Sequence, residues 1–288
     1  MSITAARFFK DTVDRLTPSL GKGEAEAAAR IIFEDVAGYD RKYIFVNGDR
    51  EVLDFVQSRI NAAVDKVLAG EPVQYAVGRA QFMGNTFAVS PAVLIPRPET
   101  AGLVDIITSD YNGRSDLRVL DIGTGSGCIA ISLARALPFA DVRGIDVSTD
   151  ALKVAENNAK ALSVNVRFIQ ADIIKTPPPS SAEYDIIVSN PPYVCASEAK
   201  DIEPHVLDYE PSSALFVPDD NPLLFYKAIA AYARKALVPG GRLYFEINSR
   251  FPHEMRALLQ AEGFEDIDIR RDYLGAYRYA TAQLPDNQ

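Results

Sequence analysis

The sequence predicts an α/β protein in which a small helical domain precedes a doubly wound, mostly parallel sheet. From residue 117 onward, short continuous apolar runs alternate with helical patterns, which is typical of buried parallel strands joined by helices. Before residue 70, apolar residues recur at helical spacing. The 288 residues are enough for one full α/β domain and a smaller one.

The first 70 residues are predicted to form helices. The apolar stretches that indicate them are Phe8, Phe9, Val13 and Leu16; the Ala-rich segment 27–36; and Val52, Phe55, Val56, Ile60, Ala63 and Val67. Gly70-Glu71-Pro72 then interrupts the pattern. We therefore predict a helical domain over residues 1–70 and a connector over residues 71–98. Within the connector we predict a hairpin with its turn at Gly84-Asn85.

Seven strands are predicted for the sheet. The segments are 118–122, 142–147, 166–170, 185–189, 242–247, 266–270 and 277–282, with a turn around Gly275 between the last two. The helices predicted between them include 126–136, 151–161 and 223–237, and the Pro239-Gly240-Gly241 turn is expected to end the last helix. The domain that contains the sheet is predicted to span residues 99–288.

Composition disfavours several classes of protein. The net charge of −9 opposes wide contact with a nucleic-acid backbone, so protein or small-molecule substrates are favoured. The two cysteines, Cys128 and Cys195, are too few for a disulfide scaffold and are predicted to be free thiols. With His205 and His253 far apart in the sequence, no metal site is expected. No apolar run could cross a bilayer, so we expect the cytoplasm.

A glycine-rich loop follows the first strand of the sheet. Gly123-Thr124-Gly125-Ser126-Gly127 separates this strand from a helix, and glycines let a ligand approach the backbone closely. About 20 residues later, Asp146 ends the next strand, where a carboxylate can accept hydrogen bonds from ribose hydroxyls. These residues predict a ligand that contains adenosine. A dinucleotide fingerprint would place its third glycine where Cys128 stands, so the spacing disfavours NAD.

The second motif is Asn190-Pro191-Pro192-Tyr193, which follows the predicted strand 185–189 at the sheet edge where ligands bind. An amide nitrogen is a poor nucleophile because its lone pair is delocalised into the carbonyl. Two acceptors, the Asn190 side-chain oxygen and the Pro191 carbonyl, could orient such a nitrogen, and Tyr193 could stack on the flat group. The motif therefore predicts alkylation of a planar amide or amine nitrogen.

The chain resembles the HemK/PrmC family, the release factor glutamine methyltransferases, over nearly its whole length. Besides the two motifs above, the resemblance rests on Glu71-Pro72-Val73-Gln74-Tyr75 with Gly78, Val93-Leu94-Ile95-Pro96-Arg97-Pro98-Glu99-Thr100, Tyr209-Glu210-Pro211, Glu246-Ile247, and Asp272 with Gly275 and Arg278. The resemblance implies a class I methyltransferase-like fold and S-adenosylmethionine as cofactor, without a metal. It also implies methylation of the glutamine in the Gly-Gly-Gln motif of class 1 peptide-chain release factors, in support of translation termination.

The resemblance further assigns roles to residues of this chain. The cofactor is expected on Asp121, Gly123, Thr124, Gly125, Ser126, Gly127, Asp146, Asp172, Ile173 and Asn190. The substrate glutamine is expected to meet Asn190, Pro191, Pro192 and Tyr193, which are the predicted catalytic residues. Arg97 is a candidate wall of the cofactor site and a candidate substrate-binding residue, or the start of a helix. The first domain is expected to bind the release factor, and Glu246, Asp272 and Arg278 are expected to be structural.

Three alternatives stay open at this point. An adenine-specific DNA or RNA methyltransferase would use the same Asn-Pro-Pro-Tyr chemistry on an exocyclic amine. A nicotinamide-dependent oxidoreductase would explain the glycine loop and Asp146, but it would leave residues 190–193 without a role. The chain could also bind the cofactor as an inactive interaction module.

Overall fold

The computed structural model describes residues 3–286. Over these residues the helices are α1 (Ala5–Leu20), α2 (Lys22–Ala37), α3 (Arg41–Asn47), α4 (Asp54–Leu68), α5 (Val73–Val77), α6 (Pro98–Asp110), α7 (Cys128–Ala136), α8 (Thr149–Ala161), α9 (Pro204–Tyr209), α10 (Ser212–Leu215), α11 (Leu224–Ala236) and α12 (Pro252–Ala261), with a 3-10 helix at Ala196–Asp201. The strands are β1 (Arg79–Phe82), β2 (Asn85–Ala88), β3 (Arg118–Ile122), β4 (Asp141–Asp146), β5 (Arg167–Gln170), β6 (Tyr184–Ser189), β7 (Val194–Cys195), β8 (Phe216–Val217), β9 (Leu237–Glu246), β10 (Glu265–Arg271) and β11 (Tyr277–Gln283). The chain divides into two compact units, of which the first comprises the residues up to Arg79 and Glu203–Tyr209.

The first unit consists of helices around one apolar core. Leu16 of α1, Ile32 and Phe33 of α2, and Ile60 of α4 are fully buried in it. The Phe8 ring lies against the Phe33 ring, with 5.3 Å between centroids. The segment 203–209 joins this unit, and the Tyr209 hydroxyl donates a hydrogen bond to the Ala69 carbonyl at 2.9 Å. The predicted boundaries after residues 70 and 98 stay predictions.

The predicted apolar stripe of α4 is wrong at Phe55, whose exposed fraction is 62%. Val56, Ile60, Ala63, Val64 and Val67 are the buried residues of α4. At about 100° per residue, Phe55 lies about 100° from Val56 and on the opposite side of the helix from Val64, so its side chain points away from the core that this stripe faces. The connector also contains α5, which the sequence analysis did not predict.

The predicted hairpin is formed by β1 and β2, which pair as a two-stranded sheet. Its turn lies at Met83 and Gly84, one residue earlier than the predicted Gly84-Asn85 turn. Both turn residues have positive φ, 47° and 72°, which fits the type of two-residue turn that matches the strand twist in hairpins. Asn85 instead begins β2.

The second unit contains the predicted sheet. Within the described residues, seven strands are ordered β10-β11-β9-β6-β3-β4-β5. The pairs β9/β6, β6/β3, β3/β4 and β4/β5 are parallel, whereas β11 is antiparallel to β9 and β10. Alternate β3 residues serve two cores: Val119 belongs to one apolar cluster, and Leu120 and Ile122 belong to the other. The doubly wound, mostly parallel sheet is therefore confirmed.

The Pro239-Gly240-Gly241 segment corrects one prediction. It lies inside β9 rather than in a turn that closes the preceding helix. Gly240 does have a positive φ of 73°, but its N–H donates to the Leu284 carbonyl at 3.0 Å, which keeps the segment in the sheet. The pairing of β9 with β6 is irregular at this segment. Tyr184 pairs with Leu237 and Ile186 pairs with Arg242, so β9 contains extra residues where β6 advances by only two.

The parallel arrangement brings the carboxyl ends of β3, β4, β6 and β9 to one edge of the sheet. Ile122, Asp146, Ser189 and Glu246 end these strands. The chain after each strand therefore starts at this edge, which is where open α/β sheets bind ligands. Between residues 3 and 286, no helix combines the length and apolarity that a membrane span requires.

Candidate active site

A cavity of about 500 Å³ opens at the carboxyl ends of β3, β4 and β6. The predicted site residues that line it are Arg97, Gly123, Thr124, Gly125, Ser126, Asp146, Asp172, Ile173, Asn190, Pro191 and Pro192. Asp121, Gly127 and Tyr193 lie outside this lining. The fold thus brings both sequence motifs to one cavity.

The glycine loop after β3 has a conformation that requires its glycines. Gly123, Gly125 and Gly127 have φ values of 74°, 53° and 80°, in the left-handed region that side chains disfavour. A Cβ at Gly123 or Gly125 would meet no protein atom within 4 Å. A Cβ at Gly127 would lie 3.0 Å from Ile131 and 3.1 Å from Ala155. The first two glycines therefore leave open space at the cavity, and the third allows α7 and α8 to approach.

Four backbone N–H groups of this loop donate to protein acceptors. Gly123 and Thr124 donate to the Ile145 carbonyl at 2.9 and 3.0 Å, and Gly127 donates to the Thr124 carbonyl at 2.8 Å. Gly125 donates to Asp146 Oδ2 at 2.9 Å. Because these hydrogens already have acceptors, they do not form the free amide cradle that a dinucleotide pyrophosphate uses.

Asp146 ends β4 at the cavity. Its Oδ1 accepts the Ser148 N–H at 2.9 Å, so each carboxylate oxygen of Asp146 holds one backbone amide. Burial raises the pKa of Asp146, and the backbone hydrogen bonds oppose that rise. Each oxygen has a second lone pair, so the fixed carboxylate can still accept from a diol.

Asp121 lies within the sheet and is fully buried. Its Oδ2 accepts the Thr124 hydroxyl at 2.7 Å and the Ala130 N–H at 3.2 Å. Burial raises the pKa of Asp121 to about 7. In the structure this carboxyl group links β3 to the glycine loop and to the first turn of α7.

Apolar side chains form one wall of the cavity. Val147 and Ile174 are 57% and 39% exposed and line the cavity together with Ile173. Asp172 is fixed beside them, because its Oδ1 accepts the N–H groups of Ile174 and Lys175 at 2.9 and 3.1 Å. Exposed apolar side chains next to a carboxylate can hold a flat heterocycle that also donates hydrogen bonds.

The residues after β6 contribute Asn190, Pro191 and Pro192 to the cavity lining. Asn190 Nδ2 donates a hydrogen bond to Thr100 Oγ1 at 3.3 Å. Tyr193 is packed against the protein core, its hydroxyl donates to Glu246 Oε1 at 3.0 Å, and its carbonyl accepts from Asn248 Nδ2 at 2.9 Å. The two ends of the motif are therefore both held by neighbouring side chains.

Arg97 is both the residue that precedes α6 and a residue of the cavity lining. Its guanidinium forms an ion pair with the buried Glu210.

Cys128 also reaches the cavity, but burial raises the pKa of its thiol to about 12, so it is not a thiolate at neutral pH. Both cysteines are free and buried, which confirms the prediction. Across residues 3–286, no cluster of three or more His, Cys, Asp or Glu side chains could hold a metal ion.

Sequence reasoning missed several residues that support the site. Asn158 on α8 donates to the Ser126 and Ala88 carbonyls at 2.9 and 3.0 Å, and so ties the glycine loop to β2. Its signal was a polar residue among the buried positions of α8. Thr100 and Glu210 belong to motifs that carry the family resemblance, but their sequence positions alone predicted no role for them at the site.

Two family models match the chain. The model described as a methyltransferase domain matches residues 114–267, which is more than half of the chain. The model described as the PrmC N-terminal domain matches residues 10–78.

Curated relatives extend this match to most of the chain. A protein named release factor glutamine methyltransferase from Bacteroides thetaiotaomicron is 42% identical over 259 residues, which cover 90% of this chain and 92% of that protein. The chain belongs to the release factor glutamine methyltransferase family. Other family members are the proteins of that name from Flavobacterium psychrophilum and Bordetella pertussis. The first is 47% identical over 71% of this chain and 73% of its own, and the second is 38% identical over 89% and 94%.

Solved structures of other methyltransferases share the fold of this family member. A methyltransferase from Pyrococcus furiosus gives a TM-score of 0.52 at 18% identity, over 81% of this chain and all of that chain. The T. thermophilus 16S rRNA N2 G1207 methyltransferase, solved with AdoMet and guanosine, gives the same TM-score and identity over 72% of this chain and 49% of that chain. These likenesses confirm the methyltransferase fold class.

Proposed function

We propose that this protein transfers a methyl group from S-adenosylmethionine to the side-chain amide nitrogen of the glutamine in the Gly-Gly-Gln motif of peptide-chain release factors. Its family membership supports the reaction and the substrate class, because the relatives are named for methylation of a release factor glutamine. The cavity at the carboxyl edge of the sheet supports a small-molecule cofactor.

The residues of the cavity fit S-adenosylmethionine. Its volume of about 500 Å³ lies within the range of about 300–1,000 Å³ usual for small-molecule sites. The open space at Gly123 and Gly125 would accept the methionine part, Asp146 the ribose hydroxyls, and the Val147 and Ile173 side chains the adenine. When bound, this cofactor supplies an electrophilic methyl group on a sulfonium sulfur.

One observation supports the assignment of Asn190 as the residue that orients the substrate nitrogen. The Asn190 amide nitrogen is engaged by Thr100, and Asn190 lines the same cavity as the glycine loop. The Asn190 oxygen is then the side-chain atom available to accept a hydrogen bond from a substrate NH₂. The Pro191 carbonyl can supply a second acceptor, and a proline has no N–H that would compete.

Positioning supplies the chemistry on the protein side. Two acceptors hold the substrate amide so that its nitrogen lone pair points at the methyl group, and holding the reactants in line lowers the barrier. The nitrogen loses a proton to water after it has been methylated, so no strong base is needed beforehand, and S-adenosylhomocysteine would be the second product. We propose that the Tyr193 ring limits where the substrate amide can lie. Hydrogen bonds at its hydroxyl and its carbonyl hold this residue in place. Arg97 is proposed as a wall of the site.

The first 70 residues are proposed to bind the release factor. They overlap the match to the PrmC N-terminal domain. They also expose large apolar side chains, because Phe45 and Phe55 are 89% and 62% exposed. Exposed aromatic residues of this kind often mark a surface that contacts another protein.

The test is a methyl-transfer assay with isotopically labelled S-adenosylmethionine, an unmethylated release factor and, in parallel, a DNA duplex that contains adenine. We expect label in the release factor and none in the DNA. Asn190→Ala should abolish transfer without changing the thermal unfolding temperature. Label in DNA with an unlabelled release factor would instead favour an adenine methyltransferase, and undiminished transfer by the Asn190→Ala variant would refute the proposed chemistry.

A further inference from the structure

A buried carboxylate lies behind the Asn-Pro-Pro-Tyr motif. Glu246 ends β9, and only 1% of the residue is exposed. Its Oε2 accepts a hydrogen bond from Thr100 Oγ1 at 2.7 Å, and its Oε1 accepts one from the Tyr193 hydroxyl at 3.0 Å. The Thr100 oxygen in turn accepts from Asn190 Nδ2. One carboxylate is thus connected to both ends of the motif.

The direction of these hydrogen bonds follows from the chemistry of the groups. An ionised carboxylate has acceptors and no donor, so Thr100 must give its single hydroxyl hydrogen to Glu246. The Thr100 oxygen can then act toward Asn190 as an acceptor. Asn190 must therefore turn its amide nitrogen to Thr100, because a reversed amide would set two oxygens 3.3 Å apart without a hydrogen between them.

We infer that Glu246, acting through Thr100, is a positioning residue that fixes the orientation of the Asn190 amide and so presents an acceptor to the substrate nitrogen. The inference rests on the proposed function and names a further determinant of the same reaction. A substrate amide has hydrogens to donate. A reversed Asn190 would meet it with a second NH₂ group and could not hold it.

The same carboxylate also fixes the other end of the motif. The Tyr193 hydroxyl donates to the second Glu246 oxygen, and the Tyr193 carbonyl accepts from Asn248 Nδ2. The Tyr226 hydroxyl donates to the Glu246 carbonyl at 3.0 Å, which anchors the end of β9 against α11. Glu246 therefore sets the position of Tyr193 directly and the orientation of Asn190 through Thr100.

The charge state of Glu246 decides whether this arrangement holds. Burial raises the pKa of Glu246, whereas the Thr100 and Tyr193 hydrogen bonds and the positive charge of Arg278 lower it, and Glu99 raises it. The titratable groups that face it are Glu99 on α6, Cys128 on α7, Tyr193 after β6, Tyr226 on α11, and Arg278 and Tyr279 on β11, with Asp272 paired to Arg278. A protonated Glu246 could donate to Thr100, and the orientation of Asn190 would no longer be fixed.

Three near-isosteric variants test the inference in the full-length protein. Glu246→Gln replaces one carboxylate oxygen by an NH₂ group. Whichever way this amide turns, the NH₂ group faces either Thr100 or Tyr193, and the hydroxyl that it faces loses its acceptor. Thr100→Val removes the link and leaves the carboxylate in place, whereas Thr100→Ser keeps the hydroxyl. With a release factor and S-adenosylmethionine as substrates, we expect kcat to fall on the order of 100-fold in Thr100→Val, as for a misplaced reacting group, and by less in Glu246→Gln, whose amide oxygen can still accept from Thr100. We expect the Thr100→Ser variant to retain most of its activity.

Further readouts separate positioning from a structural role. The dissociation constant for S-adenosylmethionine, measured by calorimetry, should change much less than kcat in all three variants, because the glycine loop and Asp146 are left in place. The acidic limb of the kcat–pH profile should change in Glu246→Gln, because the group that must be ionised is absent. If Glu246→Gln does not fold, Thr100→Val decides. A folded Thr100→Val variant with undiminished kcat would overturn the inference. Undiminished transfer by Asn190→Ala would instead refute the proposed function's chemistry.

Discussion

The Arg97 guanidinium lies 2.5 Å from the Glu210 carboxylate, measured from Nη2 to Oε1, and the Glu210 side chain is completely buried. Glu210 Oε2 also accepts the Ile95 N–H at 3.1 Å. One carboxylate therefore holds both ends of the segment Ile95-Pro96-Arg97, which lines the cavity. The Tyr-Glu-Pro motif contributes to the site by fixing this wall.

Glu210→Ala should weaken both the fold and the cofactor site. It leaves the Ile95 N–H without its acceptor and Arg97 without its partner. We expect a loss of about 2 kcal/mol in the free energy of unfolding, moderated because Arg97 is one-third exposed. We also expect weaker binding of S-adenosylmethionine. Urea unfolding and calorimetry measure the two, with the exposed Glu156 of α8 replaced by Ala as control. Unchanged affinity in Glu210→Ala would contradict the role of this wall.

Gly125→Ala should block the cofactor more than it harms the fold. The new Cβ would meet no protein atom and would occupy the open space at the cavity. Gly113→Ala is a matched control, because Gly113 also has a positive φ and free space but lies outside the cavity lining. Both variants should lose about 1 kcal/mol of stability from backbone strain. The dissociation constant for S-adenosylmethionine should rise at least about tenfold in Gly125→Ala, about 1.4 kcal/mol of binding free energy. Equal affinities in the two variants would argue against a ligand at this loop.

Asp121 should make the stability of the ligand-free protein depend on pH. Its pKa in the fold is about 7, whereas an unfolded chain would have about 3.9, so the folded state binds the proton more tightly. The stabilisation of the fold by protonated Asp121 is fully present below about pH 4 and is lost as the pH rises through about 7. Over this range the free energy of unfolding falls by up to about 1.4 kcal/mol per pH unit. Asp121→Asn should flatten the dependence of the unfolding temperature on pH, and Asp105→Asn on the exposed side of α6 should not. Identical pH profiles for Asp121→Asn and the unmodified protein would show that another group is responsible.

The exposed aromatic residues of the first unit should affect the protein substrate and not the cofactor. We expect a Phe45→Ser/Phe55→Ser double variant to raise KM for the release factor about tenfold, a loss of about 1.4 kcal/mol of binding. The dissociation constant for S-adenosylmethionine should not change. Phe139 is 86% exposed in the second unit, and Phe139→Ser is the matched control. Equal effects of both variants on KM would count against a docking role for the first unit.

Local patterns were sufficient to predict the frame of the site. The strand 118–122, the glycine loop, Asp146 and residues 190–193 are each specified by residues close in sequence. Parallel pairing then brings their ends to one edge, so the sequence alone predicts that both motifs belong to one site. The fold class followed in the same way from alternating strands and helices.

The supporting contacts could not be predicted, because they join distant parts of the chain. Thr100 and Glu246 are separated by 146 residues, and Asn158 and Ala88 by 70. Each contact depends on how helices pack against the sheet, which a single sequence does not reveal. Tertiary pairing also overrode a local signal, since Pro239-Gly240-Gly241 has the residues of a turn but is held in β9 by Leu284.

The most direct test of the account is fragmentation mass spectrometry of a release factor incubated with the protein and S-adenosylmethionine, with the Asn190→Ala variant alongside. The account predicts one added methyl group, located on the side-chain nitrogen of the Gly-Gly-Gln glutamine, and none with the variant. A methyl group on any other residue, or an unmodified release factor with the unmodified enzyme, would contradict it.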